Sequence, residues 1–258
     1  MLKVHPYQTV LSYAGTVLSP VTVCISLYNY QDYIIETLQS VYEQTQQLID
    51  LVVVEDKGSD HSLAVAEQWM QTHRYRFNTI QLIQHKHNQG LSAARNTAVS
   101  VSVSPYVFIL DADNLLYPRC TERCLEALQA DKQASVAYPI IEKFGEECAL
   151  MGNLVWNRDH FKRENCIDAM TLIRREHLVS VGGYSEFSAV GKLGWEDYQL
   201  WCKFLDKGYY GVSVSEVLAR YRTHRTSMLK SISNQRGNIE QLHREMMELH
   251  PWLELSKL

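Results

Sequence analysis

The chain has 258 residues, of which 46% are hydrophobic and 21% are charged, a composition typical of a globular protein with a full core. Its formal net charge of -4 supplies no basic field for nucleic acid, so we expect no nucleic-acid partner. No apolar run approaches the roughly 20 residues that cross a bilayer, and residues 1–20 lack the pattern of a secretory signal.

Six scattered cysteines without zinc-type spacing are typical of reduced thiols in the cytosol. We therefore expect a cytoplasmic protein with no membrane span. Peripheral contact with the inner face of a membrane stays open.

The first half of the chain alternates apolar strands with amphipathic helices, which predicts a mostly parallel sheet covered by helices. Asp32 is expected to cap the first of these helices. The run Tyr106–Leu110 has no polar alternation, which is typical of a strand buried on both faces. The four predicted strands are Val21–Leu27, Leu51–Val54, Ile80–Gln84 and Tyr106–Leu110.

The second half has a weaker pattern. Strands are predicted at Ala134–Tyr138 and Ala169–Ile173, separated by an irregular stretch from Glu142 to Asn165. A helix is expected to begin at Trp195, and the tail from Asn234 to His250 has an apolar stripe at helical spacing. That stripe favours docking on the domain itself over a partner or a membrane.

Asp111 and Asp113 follow the buried strand directly, one residue apart. Open α/β sheets bind ligands beyond the carboxyl ends of their strands. Carboxylates beside a phosphate would repel it unless a divalent cation lay between them, and Mg²⁺ and Mn²⁺ commonly share oxygen ligands with substrate phosphates. The pair therefore predicts a metal–diphosphate site.

Four further side chains have both a functional and a structural interpretation. Asp56, after the second strand, either accepts from a nucleotide base or belongs to a polar turn. Arg95, on a helix of small residues, either binds an acidic ligand or is solvated. Asp197, at a helix start that favours ionised carboxylates, is expected to keep its charge and to serve as a base, or to cap the helix. His224 either completes a metal shell or is structural.

In their order along the chain, these segments resemble family-two glycosyltransferases of the GT-A fold, and the resemblance covers approximately Val21 to Ser227. The segments that carry it are the strand to Tyr28-Asn29, Glu55–Asp60, Asn88–Asn96, Asp111-Ala112-Asp113, Gly182-Gly183-Tyr184, Trp195-Glu196-Asp197 and Tyr221–His224.

The resemblance implies an α/β GT-A fold and inverting transfer of a sugar from a nucleotide-diphosphosugar, with UDP favoured, to an acceptor hydroxyl. It implies a divalent ion, Mn²⁺ or Mg²⁺, held by Asp113 and His224, and Asp197 as the base. The residues expected at the substrate are Tyr28, Asn29, Asp56, Arg95, Asp111 and Glu196. The acceptor, whether carbohydrate, lipid-linked or protein, stays open.

The same resemblance divides the single domain. It implies an N-terminal extension (1–20), a donor-nucleotide half (21–118), an acceptor and catalytic half (119–227) and a C-terminal helical tail (228–258).

The chain departs from the family pattern at three positions. Glu55 and Lys57 replace an Asp and a Gly, and Lys57 is expected either to neutralise Asp56 or to reach a phosphate. Asn114 stands where a further Asp is frequent, and it leaves an oxygen donor. Two other functions stay open: a catalytically silent nucleotide-binding or partner-binding module of the same fold, and a phosphohydrolase of the haloacid dehalogenase type.

Overall fold

The computed structural model describes residues 2–152, 154–186, 189–225, 233 and 235–255. The predictions on Thr226, Ser227 and Asn234, and most of the first residues of the predicted tail, lie outside this part. The strands are β1 (Tyr7–Tyr13), β2 (Val21–Leu27), β3 (Ile49–Glu55), β4 (Ile80–His85), β5 (Tyr106–Asp111), β6 (Leu115–Leu116), β7 (Val136–Gly145), β8 (Ala149–Met151), β9 (Leu172–Arg174) and β10 (Gly211–Thr223). The helices are α1 (Ile34–Tyr42), α2 (Ser62–His73), α3 (Leu91–Val101), α4 (Cys120–Ala130), α5 (Arg158–Phe161), α6 (Arg175–Ser180), α7 (Ala189–Leu193), α8 (Glu196–Asp206) and α9 (Arg236–Leu249), with a 3₁₀ turn at Arg74–Arg76.

One mixed sheet runs through the described residues in the order β1-β4-β3-β2-β5-β9-β7-β10-β6, and β8 pairs with β7. Its centre, β4-β3-β2-β5, is parallel. All residues of β2 and β3 are buried, as expected for strands with helices on both faces. Beyond β5 the strand directions alternate, except that β7 and β10 are parallel. The predicted α/β architecture is confirmed.

Two apolar cores lie on the two faces of this sheet. Helices α1, α2 and α4 bury their apolar stripes on one face, and α3, α8 and α9 bury theirs on the other. Helix α3 packs closely on β2 and β3 because its buried side chains are small, for example Ala94 and Ala98. This close packing places the first turn of α3 beside the carboxyl ends of the central strands.

Several local predictions were wrong or incomplete. Residues 1–20 contain β1, which pairs antiparallel with β4, and the 13-residue strand β10 was not predicted. Asp32 does not cap α1, whose N-cap residue is Tyr33 and which has no side-chain cap. The irregular stretch contains β8 and α5, and its Trp156 and Phe161 fill the core.

The tail docks on the domain, as its stripe predicted. Leu242 and Met246 of α9 are fully buried, and α9 packs against α7. Leu249, at the end of the same helix, is 49% exposed. Among the described residues, no helix combines the length and the apolar character that a membrane crossing requires.

Candidate active site

The carboxyl ends of the central strands meet at one edge of the sheet. Leu27 is paired with Glu55, and Ser26 with Asp111, so the segments that follow β2, β3 and β5 share this edge. Tyr28 lies there with 47% of its surface exposed. Its ring is therefore accessible to a planar ligand.

Asn29 joins two of these segments. Its backbone has a φ of 56°, and its Oδ1 accepts hydrogen bonds from the amides of Ser59 at 2.7 Å and Asp60 at 3.4 Å. A Cβ on Gly58 would lie 2.6 Å from the same Oδ1. Asn29 therefore holds the turn after β3 against the turn after β2, and only glycine fits between them.

The two acids at the end of β3, Glu55 and Asp56, make hydrogen bonds within the protein. Glu55 accepts from the Gly58 amide at 2.5 Å and from Gln84 Nε2 at 2.8 Å. The extra methylene of glutamate, relative to the family's usual Asp, extends the carboxylate toward both donors. Glu55 is buried, so it fixes the loop rather than facing solvent.

Asp56 is also buried, and both of its oxygens are engaged. Oδ1 lies 2.6 Å from His85 Nδ1 and accepts from the Gln89 amide at 2.9 Å, while Oδ2 accepts from the Gly90 amide at 2.6 Å. Lys57 is exposed and makes no ion pair with Asp56, so the expected neutralisation is wrong. Asp56 fixes the loop that leads into α3, and its contact with a nucleotide base stays a prediction.

Arg95 connects the two halves of the site. Its side chain is 2% exposed, with Nη1 donating to Glu196 Oε1 at 2.5 Å and Nη2 donating to Asp111 Oδ1 at 2.7 Å. Its guanidinium carbon lies 5.2 Å from the centre of the Tyr184 ring. Although burial opposes the charge, Asp111 and Glu196 hold the pKa of Arg95 well above its ordinary value. Arg95 is therefore a permanent buried cation between two acids.

Asp113 and His224 lie together at the end of β5. Asp113 Oδ2 is 3.0 Å from His224 Nε2, and the imidazole is surrounded by the rings of Tyr30 and Tyr33, whose centres lie 6.0 Å and 5.4 Å from its own. Burial and the charge of Asp111 raise the pKa of Asp113. A buried acid beside a second acid gains stability from a cation, so an electrostatic need for positive charge exists here.

A carboxylate oxygen and an imidazole nitrogen fit Mn²⁺ or Mg²⁺ that completes its shell with phosphate oxygens and water. Across the described ranges, no group of three or more His, Cys, Asp or Glu side chains is arranged to hold a metal by itself. Asp113 and His224 thus suit a metal that is shared with a substrate.

Asn114 does not offer the oxygen that its position suggested. Its Oδ1 accepts from the Arg222 amide at 2.9 Å, and Arg222 Nε donates to the Asp113 carbonyl at 2.9 Å. These bonds tie the turn after β5 to the end of β10. They fix Asp113 relative to His224, two residues beyond Arg222.

Asp197 lies half-buried at the start of α8. Its Oδ1 accepts from the Tyr198 amide at 2.7 Å, and its Oδ2 accepts from Asn165 Nδ2 at 2.9 Å. Burial and the charges of Glu196 and Asp168 raise its pKa to about 8. These effects oppose the helix terminus, which favours the ionised form, and the role of Asp197 as a base stays a prediction.

The sequence reasoning missed several residues of this site. Tyr30 and Tyr33 surround His224, and Asn165 and Asp168 come from the stretch without pattern. The tyrosines had a signal, because they follow β2 next to Tyr28-Asn29. Asp168 had a weaker one, as an isolated acid between Ile167 and Ala169.

Two solved structures with the same fold contain a bound nucleotide sugar. The structure of Staphylococcus aureus TarS residues 1–349 in complex with UDP-GlcNAc superposes with a TM-score of 0.70 and 16% identity, covering 88% of this chain and 65% of that one. The mannosyltransferase PcManGT from Pyrobaculum calidifontis, in complex with GDP-Man and Mn²⁺, gives 0.60 and 20%, covering 92% and 63%. The fold is therefore that of GT-A glycosyltransferases, and the chain spans less than two thirds of either protein.

The sequence gives the family. EpsE of Bacillus subtilis (strain 168), a protein named as a glycosyltransferase, is 24% identical over 206 residues, which cover 78% of this chain and 72% of EpsE. The sequence model described as "Glycosyl transferase family 2" matches residues 22–180, more than half of the chain. The chain belongs to glycosyltransferase family 2, as its motifs predicted.

Proposed function

We propose that this protein transfers a sugar from a nucleotide-diphosphosugar to an acceptor hydroxyl, with inversion at the anomeric carbon. One observation carries the proposal: Arg95 joins Asp111, beside the Asp113–His224 pair, to Glu196, beside Asp197. This bridge supports the proposal that a metal-bound diphosphate would lie next to Asp197 as the base. UDP-GlcNAc in TarS and GDP-Man in PcManGT support this class of donor. Among the possible donor nucleotides we favour UDP.

The donor would lie over residues 21–118 and the acceptor over 119–227. We propose that Asp113 and His224 hold Mn²⁺ or Mg²⁺, as the Mn²⁺ in PcManGT suggests. When bound, such an ion neutralises the negative charge that develops on the departing diphosphate. Tyr28 would stack on the base, while Asn29 and Asp56 would keep the donor loops in place.

Asp197 would act on the opposite side of the sugar. As the acceptor oxygen bonds to the anomeric carbon, the carbon–oxygen bond to the diphosphate breaks, and Asp197 takes the hydroxyl proton. A base in this position contributes about 10²–10⁴ in rate. Arg95 would hold Asp111 and Glu196 fixed, so that donor and base keep their relative positions.

The residues that would contact the acceptor do not distinguish its class. It stays open whether the acceptor is a carbohydrate, a lipid-linked molecule or a protein. A cytoplasmic location is part of the proposal and rests on composition, together with the six cysteines, all of which are free thiols. Peripheral membrane contact is not required by the chemistry.

The proposal is tested by donor binding and cleavage. A panel of UDP- and GDP-sugars with Mn²⁺ should raise the melting temperature for at least one donor, because a ligand of the folded state stabilises it. Calorimetry and release of free nucleotide then quantify binding and turnover. Asp113→Ala should abolish the Mn²⁺-dependent part of donor binding, and the exposed Asp159→Asn should not.

Binding of a donor without turnover by the wild type, in the presence of Mn²⁺ and a range of acceptors, would instead favour a silent nucleotide-binding module. Hydrolysis of an aryl phosphate would favour a phosphohydrolase.

A further inference from the structure

We propose that Asp168 is a second acceptor-binding carboxylate, which selects acceptors that present two neighbouring hydroxyl groups, as a sugar ring does. One hydroxyl would face Asp197 and react, and the other would donate to Asp168. The inference rests on the proposed function and specifies its acceptor class.

The segment that carries Asp168 is fixed along the first turns of α8. Asn165 Nδ2 donates to Asp197 Oδ2 at 2.9 Å, and Trp201 Nε1, one turn further along the helix, donates to the Ile167 carbonyl at 2.8 Å. The Tyr198 hydroxyl donates to the Phe161 carbonyl on the same side. These hydrogen bonds therefore fix residues 165–168 beside Asp197.

The Asp168 carboxylate is held at one oxygen only. Its Oδ1 accepts from the Met170 amide at 2.9 Å, which fixes the orientation of the group. Its Oδ2 accepts no hydrogen bond from any residue in the described ranges, and the side chain is half-buried. An oriented carboxylate with an unused oxygen, still reachable from solvent, can accept from a ligand hydroxyl.

Asp168 interacts electrostatically with charged groups of the proposed metal site and with the proposed base. Burial and the charge of Asp111 raise the pKa of Asp168 to about 7, Arg95 opposes this rise, and Asp113 contributes to it. Asp168 in turn raises the pKa of Asp197. Together with the bonds from Asn165 to Asp197 and from Trp201 to the Ile167 carbonyl, these interactions support a position of Asp168 on the acceptor side of the proposed base.

A second side chain, Tyr184 beside Arg95, also has an unsatisfied polar group. The Tyr184 side chain is 2% exposed, and among the described residues its hydroxyl has no hydrogen-bond partner. Burial raises the pKa of this hydroxyl, Arg95 opposes the rise, and the charges of Asp197 and Glu196 add to it. An unsatisfied buried hydroxyl indicates a further polar group, such as a ligand hydroxyl or a water, at this position.

An acceptor with a single hydroxyl would satisfy Asp197 but cover Asp168 without replacing its water. Leaving a charged group unpaired on binding is costly, and sites built to bind a hydroxyl reject ligands that lack it. A neighbouring pair of hydroxyls satisfies both carboxylates at once. Asp168 would therefore act through acceptor choice, while Asp197 alone takes the proton.

The test compares two alcohols as substitutes for the acceptor. The wild type, with Mn²⁺ and the donor that stabilises it most, is given glycerol or 1-propanol at equal concentration. The products counted are free sugar, from attack by water, and alkyl glycoside, from attack by the alcohol. We expect the glycoside-to-free-sugar ratio to be about tenfold higher with glycerol, because a hydrogen bond to a charged group contributes about that factor.

Asp168→Asn, which keeps an oxygen for the Met170 amide, and Asp168→Ala should both bring the two ratios within about threefold, the factor that the three hydroxyl groups of glycerol give by number alone. Each ratio is internal to one protein, so a general loss of activity does not change it. Glu164→Gln, an exposed acid on the same segment, should keep the wild-type preference.

Ratios within about threefold of each other in the wild type, or an undiminished preference in both Asp168 variants, would overturn the inference while leaving the transferase proposal standing. No donor cleavage by the wild type would overturn the transferase proposal itself, and with it the inference.

Discussion

Arg95 and Glu196 are joined by a 2.5 Å hydrogen bond between residues 101 positions apart in the sequence. The same guanidinium holds Asp111 at 2.7 Å, so one buried cation neutralises acids from β5 and from α8. Because Asp113 follows the first acid and Asp197 follows the second, this contact sets the position of both proposed functional carboxylates.

Arg95→Met should destabilise the fold by about 3–5 kcal/mol, because it leaves the buried Glu196 and the half-buried Asp111 without a cation. Urea unfolding measures the free energy of unfolding. Arg119→Met, which removes an exposed arginine paired with Glu122, should cost no more than about 1 kcal/mol. Equal losses in the two variants would mean that the Arg95 bridge contributes little to stability.

The rate of sugar transfer to the acceptor should rise with pH through about 8. The pKa of Asp197 is raised to about 8 by burial, Glu196 and Asp168, against Arg95, and a base must be ionised to act. The pH profile of kcat/KM measures this. Asp197→Asn should lower turnover by about 10²–10⁴ and remove that limb of the profile. A profile that is flat between pH 6 and 9 would contradict the role of Asp197.

The contribution of Asp197 to the free energy of unfolding should fall with rising pH, whereas the activity should rise. The folded pKa of Asp197 lies above its ordinary 3.8, so its stabilising contribution is complete below that value and is lost as pH rises through about 8. Asn resembles the protonated acid. The free energy of unfolding of Asp197→Asn, relative to wild type, should therefore increase from pH 6 to pH 9.

His224→Gln should weaken Mn²⁺-dependent donor binding by at least about tenfold, since even partners of metal ligands contribute 10- to 100-fold. Calorimetry with and without Mn²⁺ separates the metal-dependent part. His160→Gln, an exposed histidine that contacts the Val155 carbonyl, serves as the control. Donor binding that is equally strong in both variants would remove His224 from the metal site.

Gly58→Ala should destabilise the turns after β2 and β3 by about 1–3 kcal/mol, because its Cβ would lie 2.6 Å from Asn29 Oδ1 and 3.0 Å from Glu55 Oε1. Gly237→Ala, in α9 with no atom within 4 Å of the added Cβ, should instead stabilise by about 0.5–1 kcal/mol. Thermal unfolding of the two variants distinguishes crowding from conformational freedom. A stable Gly58→Ala would show that the Asn29 turn adapts.

Leu242→Ala should cost about 2–5 kcal/mol, since its side chain is fully buried in the core beneath α9. Leu249→Ala, on the same helix but half exposed, should cost less than about 1 kcal/mol. Denaturant unfolding provides both values. A small cost at Leu242 would mean that α9 is not an integral part of the domain.

The central strands could be predicted because their signal is local. Continuous apolar runs in β2, β3 and β5 identify strands buried on both faces whatever the rest of the chain does. Strand β1 has a single buried residue among seven, and β10 has register shifts near Val217, so neither shows a regular pattern. Edge and irregular strands are defined by their neighbours, which a single sequence does not reveal.

The same distinction between local and long-range information applies to the site residues. Residue types and order indicated Asp111, Asp113 and Asp197, but not their environments. The pKa of Asp197 depends on Asp168, which is distant in sequence, and Asp56 is engaged by amides more than 30 residues away. Helix-terminus reasoning considers only the local backbone, so it left out the burial and the neighbouring acids that raise the pKa of Asp197.

Asn96, the neighbour of Arg95, also connects the two halves. Its Nδ2 donates to the Tyr184 carbonyl and its Oδ1 accepts from the Tyr184 amide, at 2.8 Å and 2.9 Å. Two successive side chains of α3 thus tie this helix to β5, to α8 and to the segment around Tyr184. A rotation of α8 and the Tyr184 segment away from α3 would break both sets of bonds at once, so we expect these elements to move as one unit.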